Sequence, residues 1–180
     1  EDTFRRHILP TYKANRRGQK PLCYWKLVAW MEQEGETYTR PSLEADDCIG
    51  ILSSMEKNKD QCIILSGDKD MRTLAGWHYD FLRDIYEYIT EEEADKNFFI
   101  QTLAGDPVDG YSGCPKIGVV NAIRILDKDC SWDAVVAAFE KQGLTEHDAL
   151  IQARVARILR ASDYDFKKKE VQLWTPSTTN

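Results

Sequence analysis

The apolar run Gln61-Cys62-Ile63-Ile64-Leu65-Ser66, closed by Gly67, sets the fold class of this chain. A short apolar run of this kind, bounded by polar residues, reads as a buried and parallel strand. Just upstream, Ala45, Ile49, Leu52 and Met55 recur at helical spacing, so residues 43–57 are expected to form a helix behind the start signal Pro41-Ser42. Before that, Pro21 followed by Leu22, Trp25, Leu27, Val28, Trp30 and Met31 predicts a helix with a broad apolar face that stops near Gly35. Helix, buried strand and glycine turn together make an α/β sheet. Residues 77–82 and 85–89 read as further strands and 91–103 as a helix whose acidic start suits the helix dipole. From Gly105 a Gly/Asp/Pro-rich loop leads to helices near 118–127, 132–142 and 145–161, an all-helical C-terminal part. The chain therefore divides into residues 1–103 and 104–180, with no internal repeat and a polar tail at Thr175 to Asn180.

No apolar stretch approaches the roughly 20 residues that a membrane span needs, and there is no basic-then-apolar leader, so the cytoplasm is the expected compartment. Cys23, Cys48, Cys62, Cys114 and Cys130 are odd in number and hold no C-x-x-C pair, which argues against a zinc site or a disulfide framework and for reduced, mostly buried thiols. The net charge of −6 is unevenly spread: the first 26 residues hold seven Lys/Arg against two acids. One end of such a chain can attract phosphate and the rest cations, although solvated surfaces would carry the same pattern.

Three acidic segments stand apart. Glu44-Ala45-Asp46-Asp47 opens a predicted helix, Asp68-Lys69-Asp70 follows the predicted strand, and Asp106-Pro107-Val108-Asp109 sits at the mouth of a loop. Ligands of open α/β sheets bind at strand C-termini, where the three can converge. Converging carboxylates repel one another unless a cation compensates, and oxygen donors alone favour magnesium or manganese. Two such ions about 4 Å apart activate a water and stabilise the leaving oxygen of a phosphodiester, so phosphate-ester hydrolysis is the natural chemistry. Plainer readings exist for each segment. Acids in a first helical turn serve as caps, Asp-x-Asp also occurs in magnesium-dependent phosphatases, and the third segment, which lacks the pattern of an EF-hand loop, is compatible with a simple turn.

Leu9-Pro10-Thr11-Tyr12-Lys13-Ala14-Asn15-Arg16, Glu44-Ala45-Asp46-Asp47, Ser66-Gly67-Asp68-Lys69-Asp70 and Ala104-Gly105-Asp106-Pro107-Val108-Asp109-Gly110 resemble, in that order, the motifs of the flap endonuclease and 5′-nuclease superfamily. Gly113-Cys114-Pro115-Lys116-Ile117-Gly118, with Ala122 following, resembles its helix-three-turn-helix. Asp109-Gly110-Tyr111-Ser112-Gly113, and Ala156-Arg157-Ile158-Leu159-Arg160 with Glu170 to Pro176 behind it, are similar to the 5′→3′ exonucleases of short-tailed (podovirus) phages.

The resemblance implies a PIN-like, mostly parallel sheet flanked by helices, a helical arch, and a C-terminal helix-three-turn-helix DNA-binding module. It implies hydrolysis of phosphodiesters near the 5′ end of DNA, flapped or recessed, and of RNA in RNA–DNA hybrids, leaving a 5′-phosphate and a 3′-hydroxyl. Two Mg2+ or Mn2+ ions would be held, one by Glu44, Asp46 and Asp68 and the other by Asp70, Asp106 and Asp109 directly or through water, with Asp47 counted in the same metal set as a support. Asp68 and Asp70 would thus be catalytic, as would Lys13 and Arg16, which match the arch residues that contact the scissile phosphate. Arg17, Gly113, Lys116 and Gly118 would join them in binding DNA, and K+ would sit on the carbonyls of the glycine turn. An ordinary solvated helix and an ordinary glycine turn are the alternatives for these last two segments.

The superfamily begins with strands that bring an early aspartate, and this chain begins at Glu1 beyond them. The expectation is a fragment, completed by a missing segment or a second chain and otherwise a monomer, in a bacterial host's cytoplasm if phage-encoded. A non-catalytic DNA-binding piece and a magnesium-dependent phosphatase are the competing functions.

Overall fold

The computed structural model describes residues 3–16, 18, 20–59 and 61–176. Its helices are α1 (Phe4–Ile8), α2 (Tyr24–Glu34), α3 (Ala45–Ser53), α4 (Glu91–Ala104), α5 (Val119–Leu126), α6 (Trp132–Glu140) and α7 (Glu146–Ala156), and its strands are β1 (Ile63–Leu65), β2 (Gly76–Asp80), β3 (Ile85–Ile89), β4 (Tyr164–Asp165) and β5 (Glu170–Val171). Local signals fix most of the boundaries. Thr90 accepts from the Glu93 amide at 3.1 Å while Glu93 accepts from the Thr90 amide at 2.9 Å, a reciprocal cap that starts α4. Thr145 and Asp148 repeat this device at α7, and the Ser131 hydroxyl caps α6 through the Ala134 amide.

α4 is the hub of the molecule, packing against α5, α6, α7 and the 3-10 turn at Lys69–Thr73. Its Leu103 lies in a core with Cys114, Leu126, Val135 and Phe139, while Phe98 lies in a second with Tyr12, Tyr111 and Val155. Residues from both ends of the chain therefore close around one helix.

Several expectations need correction. The sheet is mixed, not mostly parallel: β1 runs parallel to β2, but β2 and β3 are antiparallel, with Gly76 opposite Ile89 and Asp80 opposite Ile85. Four residues join β2 to β3, too few for a parallel crossover, and the Asp80 carboxylate holds the turn through the amides of Leu82 and Arg83. β1 is buried on one face only. Ile64 faces the core, whereas Ile63 and Leu65 stay exposed with Trp77, Tyr86 and Tyr88 on the other face, which no described element covers.

The C-terminal part is not wholly helical. α7 stops at Ala156, and residues 157–160 run extended so that Ile158 and Leu159 can fill two separate cores before the β4–β5 pair. α2 forms where the periodicity puts it, but Trp25, Leu27, Trp30 and Met31 are exposed, and none of its residues is buried. All five cysteines are free; only Cys48 and Cys114 are buried, and Cys23 and Cys130 are exposed. Among the described residues no helix is long and apolar enough to cross a membrane.

Candidate active site

α1 and α3 are locked together by one guanidinium. Arg5 is buried, donates to both Asp47 oxygens at 2.7 and 2.6 Å, reaches Glu44 Oε2 from Nη1 at 3.4 Å, and donates to the carbonyls of Val155 and Arg157. Burial opposes the charge of Arg5, but Asp47 outweighs it and holds the guanidinium protonated. Asp47 also accepts from the amides of Glu44 and Leu159, at 3.1 and 3.2 Å. With no exposed surface and every oxygen engaged, it has no lone pair aimed at a metal. Its place is to hold the start of α3, not to ligate, which corrects its assignment to the metal set.

Glu44, the N-cap of α3, touches Arg5 on one side and two further groups on the other. Tyr12 donates its hydroxyl to Glu44 Oε2 at 2.8 Å, and Lys13 Nζ lies 2.8 Å from Oε1. The same Lys13 ammonium is 3.6 Å from Asp109 Oδ2, and Arg16 pairs with Asp109 Oδ1. Lys13 reaches this point through a left-handed backbone, φ 51°, with its amide bonded to the Asp109 carbonyl at 2.7 Å. Segment 9–16 and loop 106–112 are thus stitched to each other over the acidic residues.

The strand–turn junction brings the second cluster. Asp68 caps the 3-10 turn, accepting from the Asp70 amide at 2.9 Å, and Asp70 accepts from Gln101 Nε2 at 2.8 Å. The third cluster hangs from the end of α4. The Asp106 carboxylate takes the amides of Val108 and Asp109, and its backbone bridges Tyr111. Gly105 and Gly113 let the two ends of this loop touch: a Cβ on Gly105, at φ 69°, would fall 2.3 Å from the Ser112 carbonyl carbon, and one on Gly113, at φ 62°, 2.3 Å from the Gly105 nitrogen.

Glu44, Asp46, Asp70 and Asp109 line one small cleft with Tyr12, Gln101 and Tyr111. Asp106 lies in an adjoining hollow that shares Asp70, and Asp68 in another on the far side of Lys69. Their charges are felt across these short gaps. Burial, then repulsion from Asp68, Asp106 and Asp109, pushes Asp70 up to about 6, and burial followed by the Asp68 charge raises Asp46. Among the described residues no three His, Cys, Asp or Glu side chains already close on a single point. An all-oxygen donor set with two carboxyls forced towards their neutral form fits a hard divalent cation, which would relieve the repulsion.

The other expected DNA contacts divide. Lys116 is exposed at φ 64°, and Gly118 is open at the start of α5, but in an extended conformation, so the strained position of this turn is Lys116 and not Gly118. Gly113 is turned inward, donating its N–H to Gln152 Oε1 at 2.8 Å, and is not free to meet a phosphate. Arg17 lies outside the described residues. No motif in the sequence marks Arg5 or Gln101 as part of this site. Nothing sets Arg5 apart from its neighbour Arg6 in the sequence, and the one available hint for Gln101 was a lone amide within the Phe98–Leu103 stretch of α4.

A family model described as the 5′-3′ exonuclease N-terminal resolvase-like domain matches residues 1–102. The exonuclease of Escherichia phage T7 is 32% identical over 206 residues, covering 93% of this chain and 68% of that protein. The chain belongs to the 5′-3′ exonuclease family. Another relative in this nuclease family, the 5′-3′ exonuclease of Buchnera aphidicola, is 30% identical, with 95% of this chain and 70% of that protein covered. The fold is shared with the flap endonuclease of bacteriophage T5 in a complex with DNA and metal ions, at a TM-score of 0.70 and 16% identity over 88% of this chain and 71% of that one.

Proposed function

We propose that this 5′-3′ exonuclease family member is a metal-dependent phosphodiesterase that cleaves DNA near a free 5′ end, at a flap or a recessed end. The observation that carries the reading is the cleft in which carboxylates from three distant segments, Glu44 and Asp46, Asp70, and Asp109, meet beneath Lys13 and Arg16. Two Mg2+ or Mn2+ ions fit this donor set, with Glu44, Asp46 and Asp68 on one side and Asp70, Asp106 and Asp109 on the other. When bound, they supply a hydroxide at neutral pH and charge compensation for the leaving oxygen.

The chain's own groups do the rest. Tyr12 fixes the Glu44 carboxylate, Gln101 fixes Asp70, and Lys13 and Arg16 present positive charge where phosphate oxygens accumulate charge in the transition state. Hydrolysis of this kind leaves a 5′-phosphate and a 3′-hydroxyl, and RNA in an RNA–DNA hybrid offers the same bond. Residues 104–180 act as the duplex-holding part, with Lys116 and the amides at the start of α5 facing phosphate and the carbonyls of the glycine turn as a seat for K+.

The test is a labelled 5′-flap and a recessed-end duplex incubated with magnesium or with EDTA. Magnesium-dependent release is expected, and Asp68→Ala should lower it by at least about 1,000-fold; normal turnover by the variant would overturn the site assignment. The uncovered face of the sheet favours a second reading, a DNA-binding piece that does not cut alone, in which the duplex binds and stays intact.

A further inference from the structure

The acidic cleft does not offer its oxygens equally. Every carboxylate oxygen of Glu44 and Asp109 already has a partner within the chain. Lys13 Nζ lies 2.8 Å from Glu44 Oε1 and 3.6 Å from Asp109 Oδ2, and Arg16 pairs with Asp109 Oδ1. The Tyr12 hydroxyl completes the set, 2.8 Å from Glu44 Oε2 and 3.4 Å from Asp109 Oδ2. Asp46 and Asp70, by contrast, meet burial and the Asp68 charge before any cation. The ammonium is held in place by more than its charge. Its left-handed backbone is tied to the Asp109 carbonyl, and Nζ rests over the Tyr12 ring, 4.9 Å from the centroid. Glu44 belongs to one proposed ion position and Asp109 to the other, so a single lysine straddles both.

We propose that Lys13 and Arg16 are built-in counter-ions that compete with the divalent cations for Glu44 and Asp109, so that loading the metals and releasing these two side chains to a phosphate are one coupled event. The inference rests on the metal-dependent reading above and adds a regulation of that same site. An oxygen that serves an ammonium cannot serve a divalent ion at full strength, because the two cations repel across the few ångströms between them. The coupling is reciprocal: whatever draws Lys13 and Arg16 away strengthens the metals, and the metals free both groups for a substrate's phosphate. The two competitors differ in weight. The Lys13 side chain is 15% exposed, against 55% for Arg16, so water screens the arginine pair more. Lys13 weakens both ions, whereas Arg16 weakens the one that Asp109 serves. The rival reading is a strap that only fastens segment 9–16 to loop 106–112, and it predicts the opposite sign, because a loosened strap would scatter the ligands.

The experiment is a titration of the full chain with Mn2+ in the absence of DNA, free ion being read by electron paramagnetic resonance in about 0.1 M KCl. Lys13→Met, which keeps the stem over the Tyr12 ring, should strengthen both binding steps at least about fivefold. Arg16→Met should strengthen one step about two- to threefold. Lys13→Arg keeps the charge and should bind Mn2+ as the parent does. Melting in EDTA checks that each variant is folded, and the exposed Arg16 tests the same competition should Lys13→Met lose its structure. Unchanged or weaker Mn2+ binding by folded Lys13→Met, or by Arg16→Met in its place, would make the segment a strap and overturn the competition, leaving metal-dependent hydrolysis standing. A gain shared by Lys13→Arg would trace it to shape instead of charge and overturn the inference as well. A parent chain that takes up no Mn2+ would overturn both this inference and the proposed function.

Discussion

Asp46 and Asp47 are neighbours in the chain and opposites in the fold. Asp47 points inward to a buried guanidinium that saturates it, whereas Asp46 lines a cleft where burial and the Asp68 charge outweigh the pull of Lys13. One carboxylate is satisfied within the polypeptide and stiffens the frame. The other is left for something from outside. A functional cluster in this molecule is therefore marked by carboxylates whose compensation is incomplete, and it is carried by an adjacent pair whose compensation is complete.

Removing the guanidinium gives the largest effect. Arg5→Met should leave Asp47 buried and uncompensated and cost about 3–5 kcal/mol in urea unfolding, while a loss under about 1 kcal/mol would erase the distinction between the two carboxylates. Next comes a matched pair of neutralisations. Asp47→Asn should destabilise the protein by about 3 kcal/mol, whereas Asp46→Asn should leave metal-free stability equal or higher and weaken Mn2+ binding, as calorimetry on both variants can show. Tyr12→Phe keeps the packing of a core residue and deletes the bond to Glu44. It should cost about 1 kcal/mol, with a matching loss in metal affinity.

The smallest effect is a pH dependence. In the folded protein Asp70 keeps its proton up to about pH 6, while the unfolded chain releases it near the ordinary value of 3.8. The folded state then binds more protons between these values, so metal-free stability should fall as pH rises from about 4 to 6. Melting curves in EDTA should show the decline, Asp70→Asn should reduce it, and magnesium should reverse it.

What the sequence displays and what it hides follow from range. The acidic start of α4 and the three acidic segments are local patterns, and each lies where its pattern put it. The partner of Asp47 is 42 residues away, and a polar side chain carries no mark of whether it will be buried. Residues 157–160 have helix-forming side chains, yet tertiary packing of Ile158 and Leu159 into separate cores overrides that preference. Periodicity gave α2 its helical form but says only that one side is apolar, not that anything lies against it. The same blindness applies to β1, whose apolar run promised two covered faces.

That uncovered face governs how the chain behaves as a colloid. Ile63, Leu65, Trp77, Tyr86 and Tyr88 present apolar surface beside an edge strand, a combination that makes concentrated samples prone to self-association, and more so in sulfate, which strengthens apolar burial. The indole of Trp77, partly open to water and stacked on Tyr86 at 4.9 Å, is built into the middle of that surface as a fluorophore. Its emission should move to shorter wavelength whenever water is driven off the sheet, so the molecule carries its own optical record of what lies upon it.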